Sequence, residues 1–278
     1  MSYKLVVDSC TDLPEHLKGD PRIEVVPLAL QIGDFHTMDD ENFDQADYIR
    51  RVAECDTCAK TACPSPDRYC RAYNCEADDI YAVTLSSKLS GSYNSAIIGR
   101  DIYHEDIGKK NIHVFDSLSA CCGQTQIAMF AMELAESGMP FKEVIAETER
   151  FRDSLRTYFV LDSLDTLRKN GRLTGMKAIV ATTLSIKPIC IGVRGEIAQK
   201  GQGIGIKKAL VKMAEMIGAD PIDTTERRLM ITQVNCPERA KAVEKMILSK
   251  RKFRESLVVE AAGVATTYAG DGGIVVTY

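Results

Sequence analysis

The sequence carries no strong excess of either charge. Its 278 residues hold 35 Lys and Arg against 39 Asp and Glu, a formal net charge of −4. The basic footprint of a nucleic-acid binder is therefore missing. Long apolar runs are missing too. None approaches the roughly 20 residues a helix needs to cross a bilayer, so an integral membrane protein is not expected. The opening stretch M-S-Y-K-L-V-V-D-S runs into Asp8 after a few apolar residues. That is too short for a secretory signal, and a cytoplasmic location is expected. No glycine-rich phosphate loop and no G-x-S-x-G occur, which argues against nucleotide-driven chemistry and the usual serine nucleophile. Histidine is scarce: His16, His36, His104 and His113 stand isolated. No metal or cofactor is expected from them.

Apolar residues make up 45% and charged residues 27% of the chain, the profile of a globular protein with enough interior to bury a ligand. Ten cysteines invite a disulfide or metal reading. Without a secretory segment the compartment is reducing, so free thiols are the default. The densest cluster, Cys55, Cys58, Cys63, Cys70 and Cys75, opens with C-x-x-C but lacks the second close pair or paired histidine of a zinc site. A metal- or redox-sensing function stands as the third reading. Cys121-Cys122 opens an apolar helix and is read as packing. The basic run from Lys245 to Arg254 reads as the solvated end of an amphipathic helix, with a membrane-surface or partner role as its alternative.

Apolar runs alternate with helical patterns through the first half, which predicts a mostly parallel sheet with helices on both faces. Strands are expected at Lys4 to Val7, Asp79 to Leu85 and Ile112 to Phe115, and an extended segment with Pro27 at Ile23 to Leu30. Helices are expected at Asp44 to Ala53, Asp67 to Tyr73, Gly91 to Ile102, Ala120 to Ser137 and Phe141 to Arg156. Near Thr157 the pattern changes. Strands follow at Tyr158 to Leu161, Leu184 to Val193, Glu196 to Ala198, Leu229 to Val234, Leu257 to Ala261 and Gly273 to Tyr278, with helices at Ser163 to Asn170 and Ile206 to Ile217. The fold class is α/β in two domains: residues 1–157 form a three-layer α/β/α unit with a mostly parallel sheet, and residues 158–278 an α+β unit. The first polar motif can cross that boundary.

Three polar segments can carry chemistry: Thr61 to Ser65, Leu85 to Tyr93, and Asn170 to Thr174. The second follows a strand and precedes a helix. Backbone N–H groups and hydroxyls then converge at a helix N-terminus, which suits a carboxylate or phosphate. Ordinary capping is the competing reading. The strand ends Asp8-Ser9 and Asp116-Ser117 leave the same choice, between capping a turn and lining a ligand crevice. A serine hydrolase acting on small esters through Ser86 to Ser92 is the alternative function, weakened because no general base is evident. Gly201-Gln202-Gly203-Ile204-Gly205 has no preceding strand and following acidic residue of the dinucleotide-binding kind.

These segments resemble the DegV family. Asp8-Ser9 and Asp12-Leu13-Pro14 match its opening. Thr61-Ala62-Cys63-Pro64-Ser65 keeps three residues of T-S-Q-P-S, and Ser86 to Tyr93 keeps S-S-x-L-S-G-T-Y with serine for threonine. V-x-D-S recurs at Val114 to Ser117, L-x-x-L-x-x-x-G-R-[IL] at Leu164 to Leu173, and K-P-I with G-x-I at Lys187 to Ile189 and Gly195 to Ile197. The resemblance implies a bacterial lipid-binding protein, not an enzyme. It would enclose a long-chain fatty acid or related amphiphile between its domains and present it to a separate fatty acid kinase. Thr61 and Ser90, with the Gly91 backbone, would hold the head group, and Arg172 would be a surface contact for the partner. Each buried methylene is worth ~0.8 kcal/mol, so a long acyl tail supplies on the order of 10 kcal/mol before ordering costs. Two positions depart from the family. Ile204 stands at its usual arginine and Tyr268 at its usual histidine, both of which would face the head. The pocket should then keep its tail preference and relax its head preference, with Tyr268 replacing a hydrogen bond but not a charge. Arg194 or Lys200 could supply the missing charge.

Overall fold

In this computed structural model residues 2–173 and 185–278 are described. Thr174, which closes the third polar segment, and Leu184, the first residue of an expected strand, lie outside them. The strands are β1 (Tyr3–Asp8), β2 (Ile23–Val26), β3 (Ala29–Ile32), β4 (Phe35–Met38), β5 (Lys60–Ala62), β6 (Asp79–Thr84), β7 (Asn111–Asp116), β8 (Thr157–Val160), β9 (Ile186–Val193), β10 (Glu196–Ile204), β11 (Arg228–Gln233), β12 (Glu255–Glu260) and β13 (Ile274–Thr277). The helices are α1 (Gln45–Glu54), α2 (Pro66–Tyr73), α3 (Ser92–Asp106), α4 (Cys122–Glu136), α5 (Phe141–Ser154), α6 (Asp165–Lys169), α7 (Gly205–Gly218), α8 (Pro237–Leu248) and α9 (Gly263–Ala269).

The first sheet is parallel in the order β2-β1-β6-β7. Its central strand β6 is buried at every residue, as a strand covered on both faces must be. Val6, Ile80, Ala82 and Val114 pack on one face against Tyr69 and Tyr73 of α2 and Ala96 and Tyr103 of α3. A Cβ at Gly99 would stand 2.5 Å from the Pro66 carbonyl oxygen, so glycine lets α3 approach α2. Leu5, Val7, Val83 and Phe115 face the other way, toward Ile127 and Met132 of α4 and Val144 of α5.

The second large sheet is mixed, in the order β10-β9-β8-β13-β11-β12. Tyr158, Val160, Ile231 and Val276 pack on α7 and α8. Its opposite face, with Phe159, Met230 and Val275, joins the same core as α4. Helix α4 is therefore shared by both sheets, which explains an apolar surface that runs around it rather than along one stripe. Its polar side chains tie it down on both sides. Gln124 Nε2 donates to Asp8 (2.8 Å) and Gln126 Nε2 to the Thr277 hydroxyl (2.9 Å).

A small antiparallel sheet, β4-β3-β5, was not expected from the sequence. It arises because the segment expected from Ile23 to Leu30 divides. Pro27 interrupts it, β2 stays at the edge of the parallel sheet, and β3 turns to pair with β4 and β5. Helix α9 was also missed, its seven residues being too few to show a helical period. The glycine-rich segment Gly201 to Gly205 ends β10 and starts α7. A Cβ at Gly203 would meet the Ala209 backbone at 2.4 Å, so this glycine serves packing.

Candidate functional site

Between the loops that follow the strands of the first sheet and one face of the second sheet lies a cavity whose walls are almost wholly apolar. The centre of a water-sized sphere can move through about 110 Å3 of it, and the space between its walls out through the mouth is about 870 Å3. One wall follows β8, where Thr157 and Phe159 share a face by the two-residue alternation of a strand, and continues to Leu161 and Leu167. Opposite stand Leu28, Leu85 and Leu118. Val264, Ala265, Tyr268 and Ala269 of α9 close another side, and Cys10, Ala120 and Cys121 a fourth.

The polar lining includes one connected group. The hydroxyls of Thr61 and Tyr268 stand 3.1 Å apart, each able to donate. The Arg172 guanidinium lies 5.7 Å from the centre of the Tyr268 ring. It donates to the carbonyls of Leu89 (3.1 Å) and Asn170 (2.5 Å). Ser90 lines the same cavity, its hydroxyl oxygen accepting the Ser92 N–H at 3.2 Å. Thr61, Ser90, Arg172 and Tyr268 are thus brought together on one cavity from four separate segments. Gly91 is not. It caps α3, is exposed and lies outside the lining. Arg172 was expected on the surface as a docking contact. It is half-buried and lines the cavity, because the turn after α6 folds back on Leu89.

The positions read as departures fall differently. Ile204 is 67% exposed at the start of α7 and does not line the cavity, so the side chain there faces solvent and not a head group. Arg194 sits exposed in the β9–β10 turn, and Lys200 donates to the Tyr158 hydroxyl at 2.8 Å. Neither lines the cavity; among the described residues the cation that does is Arg172. Sequence reasoning had its motif but not its direction.

Helix α9 owes its position to two buried carboxylates. Asp12 accepts the Ala262 N–H and the Thr232 hydroxyl, both at 2.8 Å. Asp39 accepts the N–H groups of Gly263 (2.6 Å) and Val264 (2.9 Å). A Cβ at Gly263 would reach 2.7 Å from the Asp39 carboxylate, so glycine admits it. Burial pushes the Asp12 carboxyl up to about 7 and that of Asp39 up to about 6, against the pull of those donors. On the other side of α9, Tyr48 shares a 2.8 Å hydrogen bond with Thr267. Asp12 is the acid of the D-L-P motif; Asp39 carried no signal in the sequence.

The strand-end motifs cap rather than bind. Burial raises the Asp8 carboxyl, and hydrogen bonds from Ser92, Gln124, Leu85 and Cys10 oppose that rise. Asp116 accepts the N–H groups of Ser87 and Leu118. The serine turn is spent the same way. The Ser86 hydroxyl donates to the Gly195 carbonyl (2.8 Å), that of Ser87 to Asp116 (2.5 Å), and that of Ser92 to Asp8 (2.6 Å). His104 bonds the Lys110 carbonyl and His113 meets the Phe115 ring edge-on, so neither offers itself as base to Ser90. The hydrolase reading has no support. All ten cysteines are free thiols, and among the described residues no group of three or more His, Cys, Asp or Glu is placed to hold a metal ion. No helix among them is long and apolar enough to cross a membrane.

The family model described as "Uncharacterised protein, DegV family" matches residues 2–278. A DegV domain-containing protein of Streptococcus gordonii is 30% identical, over 100% of this chain and 99% of its own. The crystal structure of a DegV family protein from Ruminococcus gnavus, refined with vaccenic acid, is 46% identical and superposes with a TM-score of 0.96 over 100% of this chain and 99% of that one. The Streptococcus pneumoniae fatty acid kinase (Fak) B3 protein loaded with linoleic acid is 28% identical, with a TM-score of 0.88 and coverage of 100% and 99%.

Proposed function

The chain belongs to the DegV family, and from that premise we propose that it encloses a long-chain fatty acid or related lipid and performs no chemistry on it. The observation that carries this reading is the cavity itself, largely apolar, with Thr61, Tyr268 and Arg172 grouped on its wall and Ser90 lining the same space. An acyl tail gains ~0.8 kcal/mol per buried methylene from such walls. A carboxylate at the polar group would take hydrogen bonds from the hydroxyls of Thr61, Ser90 and Tyr268, with Arg172 supplying the positive charge. The Gly91 backbone is left out of this assignment.

The protein acts in the cytoplasm and hands its ligand to a separate fatty acid kinase. The likeness to the kinase-named protein of Streptococcus pneumoniae, end to end, supports that partner. Native mass spectrometry of the purified protein, followed by organic extraction, tests the lipid. A C14 to C18 fatty acid near one per chain is expected. A protein that arrives empty and takes up no added fatty acid would overturn the reading.

A further inference from the structure

The cavity wall carries a second pair of hydroxyls, apart from the group around Thr61. Ser119, in the loop before α4, and Thr157, the first residue of β8, both line the cavity, and their side-chain oxygens stand 3.3 Å apart. Thr157 opens the stretch of wall that runs through Phe159 to Leu161. Four strand steps of ~3.3 Å put about 13 Å between the ends of that stretch. Leu161 leads into α6, which packs against α9 and is followed by the turn that carries Arg172. Tyr268 and Arg172 therefore belong to the Leu161 end, and the hydroxyl pair to the other.

Two glycines make room for this pair. A Cβ at Gly123 would run into the Ser119 hydroxyl, and one at Gly192 would stand 3.2 Å from the Thr157 Cβ. Gly192 itself lines the cavity, so the space beside Thr157 stays open. The 3.3 Å contact is longer than the ~2.8 Å of a well-made hydroxyl bond, and it uses only one of the two O–H groups. The other O–H has no acceptor among the described residues. Methylenes laid across the pair would strip its water and return no hydrogen bond. An oxygen on the chain suits the place better, since it accepts the spare O–H and donates its own hydrogen to a free lone pair.

We propose that the preferred ligand is a long-chain hydroxy fatty acid, with its carboxylate at the Thr61 and Tyr268 hydroxyls and a mid-chain hydroxyl on Ser119 and Thr157. The inference rests on the lipid-binding reading and names the ligand class within it. The hydroxyl belongs near the middle of the chain because the pair lies about 13 Å along the wall from the head end. A hydroxyl next to the carboxylate would instead fall on the apolar stretch of Phe159 and Leu161 and lose its water there.

The test titrates lipid-free protein with stearic, 10-hydroxystearic and 3-hydroxystearic acid by isothermal calorimetry. The 10-hydroxy acid should bind about fivefold tighter than stearic acid, the effect of one buried hydrogen bond, and the 3-hydroxy acid should show no such gain. Thr157→Val keeps the shape of the side chain without its hydroxyl, and should erase the ratio between 10-hydroxystearic and stearic acid. Ser119→Ala should reduce the same ratio, which is read within each folded variant and so does not depend on its stability. Stearic acid bound as tightly as 10-hydroxystearic acid, or more so, would overturn the proposal and leave the lipid-binding reading standing. A preference that survives Thr157→Val undiminished would overturn it too. A protein that takes up none of the three acids fails the lipid-binding reading itself.

Discussion

The Thr61 hydroxyl stands 3.1 Å from the Tyr268 hydroxyl although 207 residues separate them in the chain. One belongs to β5 of the small antiparallel sheet and the other to the short helix α9. Each can turn its hydrogen toward a shared acceptor, which is the geometry the proposed carboxylate site would use.

Replacing Tyr268 by Phe removes that hydroxyl and keeps the ring under Arg172. Fatty acid affinity should weaken about fivefold, the effect of one hydrogen bond worth ~1 kcal/mol. Thr61→Val should do the same, and the double variant should lose less than the product of the two, because both hydroxyls serve one acceptor. Isothermal titration with oleic acid measures all three; strictly additive losses would mean the hydroxyls act on different atoms.

Arg172 should matter more. Its guanidinium keeps its place through the Leu89 and Asn170 carbonyls, so it offers charge without having to be ordered by the ligand. Arg172→Met should weaken carboxylate binding about tenfold or more, in line with ~1.5–3 kcal/mol for a charge-assisted bond. The matching fatty alcohol should lose far less. Arg172→Lys should not rescue, since an ammonium cannot reproduce the planar fork. Equal losses for acid and alcohol would assign Arg172 to structure alone.

The acids behind α9 make stability depend on pH. Both carboxyls have folded-state values above the unfolded range, Asp39 at about 6 and Asp12 at about 7. Between about 4 and 7 the folded protein therefore binds more protons than the unfolded chain, so stability falls as pH rises through that window. The thermal midpoint should be several degrees higher at pH 5.5 than at pH 8, and Asp12→Asn should flatten the slope. A midpoint that rises with pH across this range would show that Asp12 is ionised as readily in the folded state as in water.

The sequence by itself determined the local plan. Continuous apolar runs specified β1, β6 and β7 as strands covered on both faces. Helices were legible from Asp44 and from Asp67; in the structure the side chains of Asp44 and Ser65 cap α1 and α2, accepting the N–H groups of Asp47 and Arg68. The ordered motifs, each a short local pattern, carried the family. These features were legible because they depend on residues within a turn or two of one another.

Only the tertiary structure decided what each side chain faces. Arg172 reads on paper as a solvated residue after a helix, yet the turn after α6 brings it onto Leu89 and into the cavity. Ile204 stands where the family would place a head-group contact, yet it faces solvent. Asp39 carries no motif, yet it bonds amides 224 and 225 residues away. Local propensity fixes periodicity and caps. The direction of a side chain depends on which strand or helix closes over it, and those partners lie hundreds of residues away in the chain.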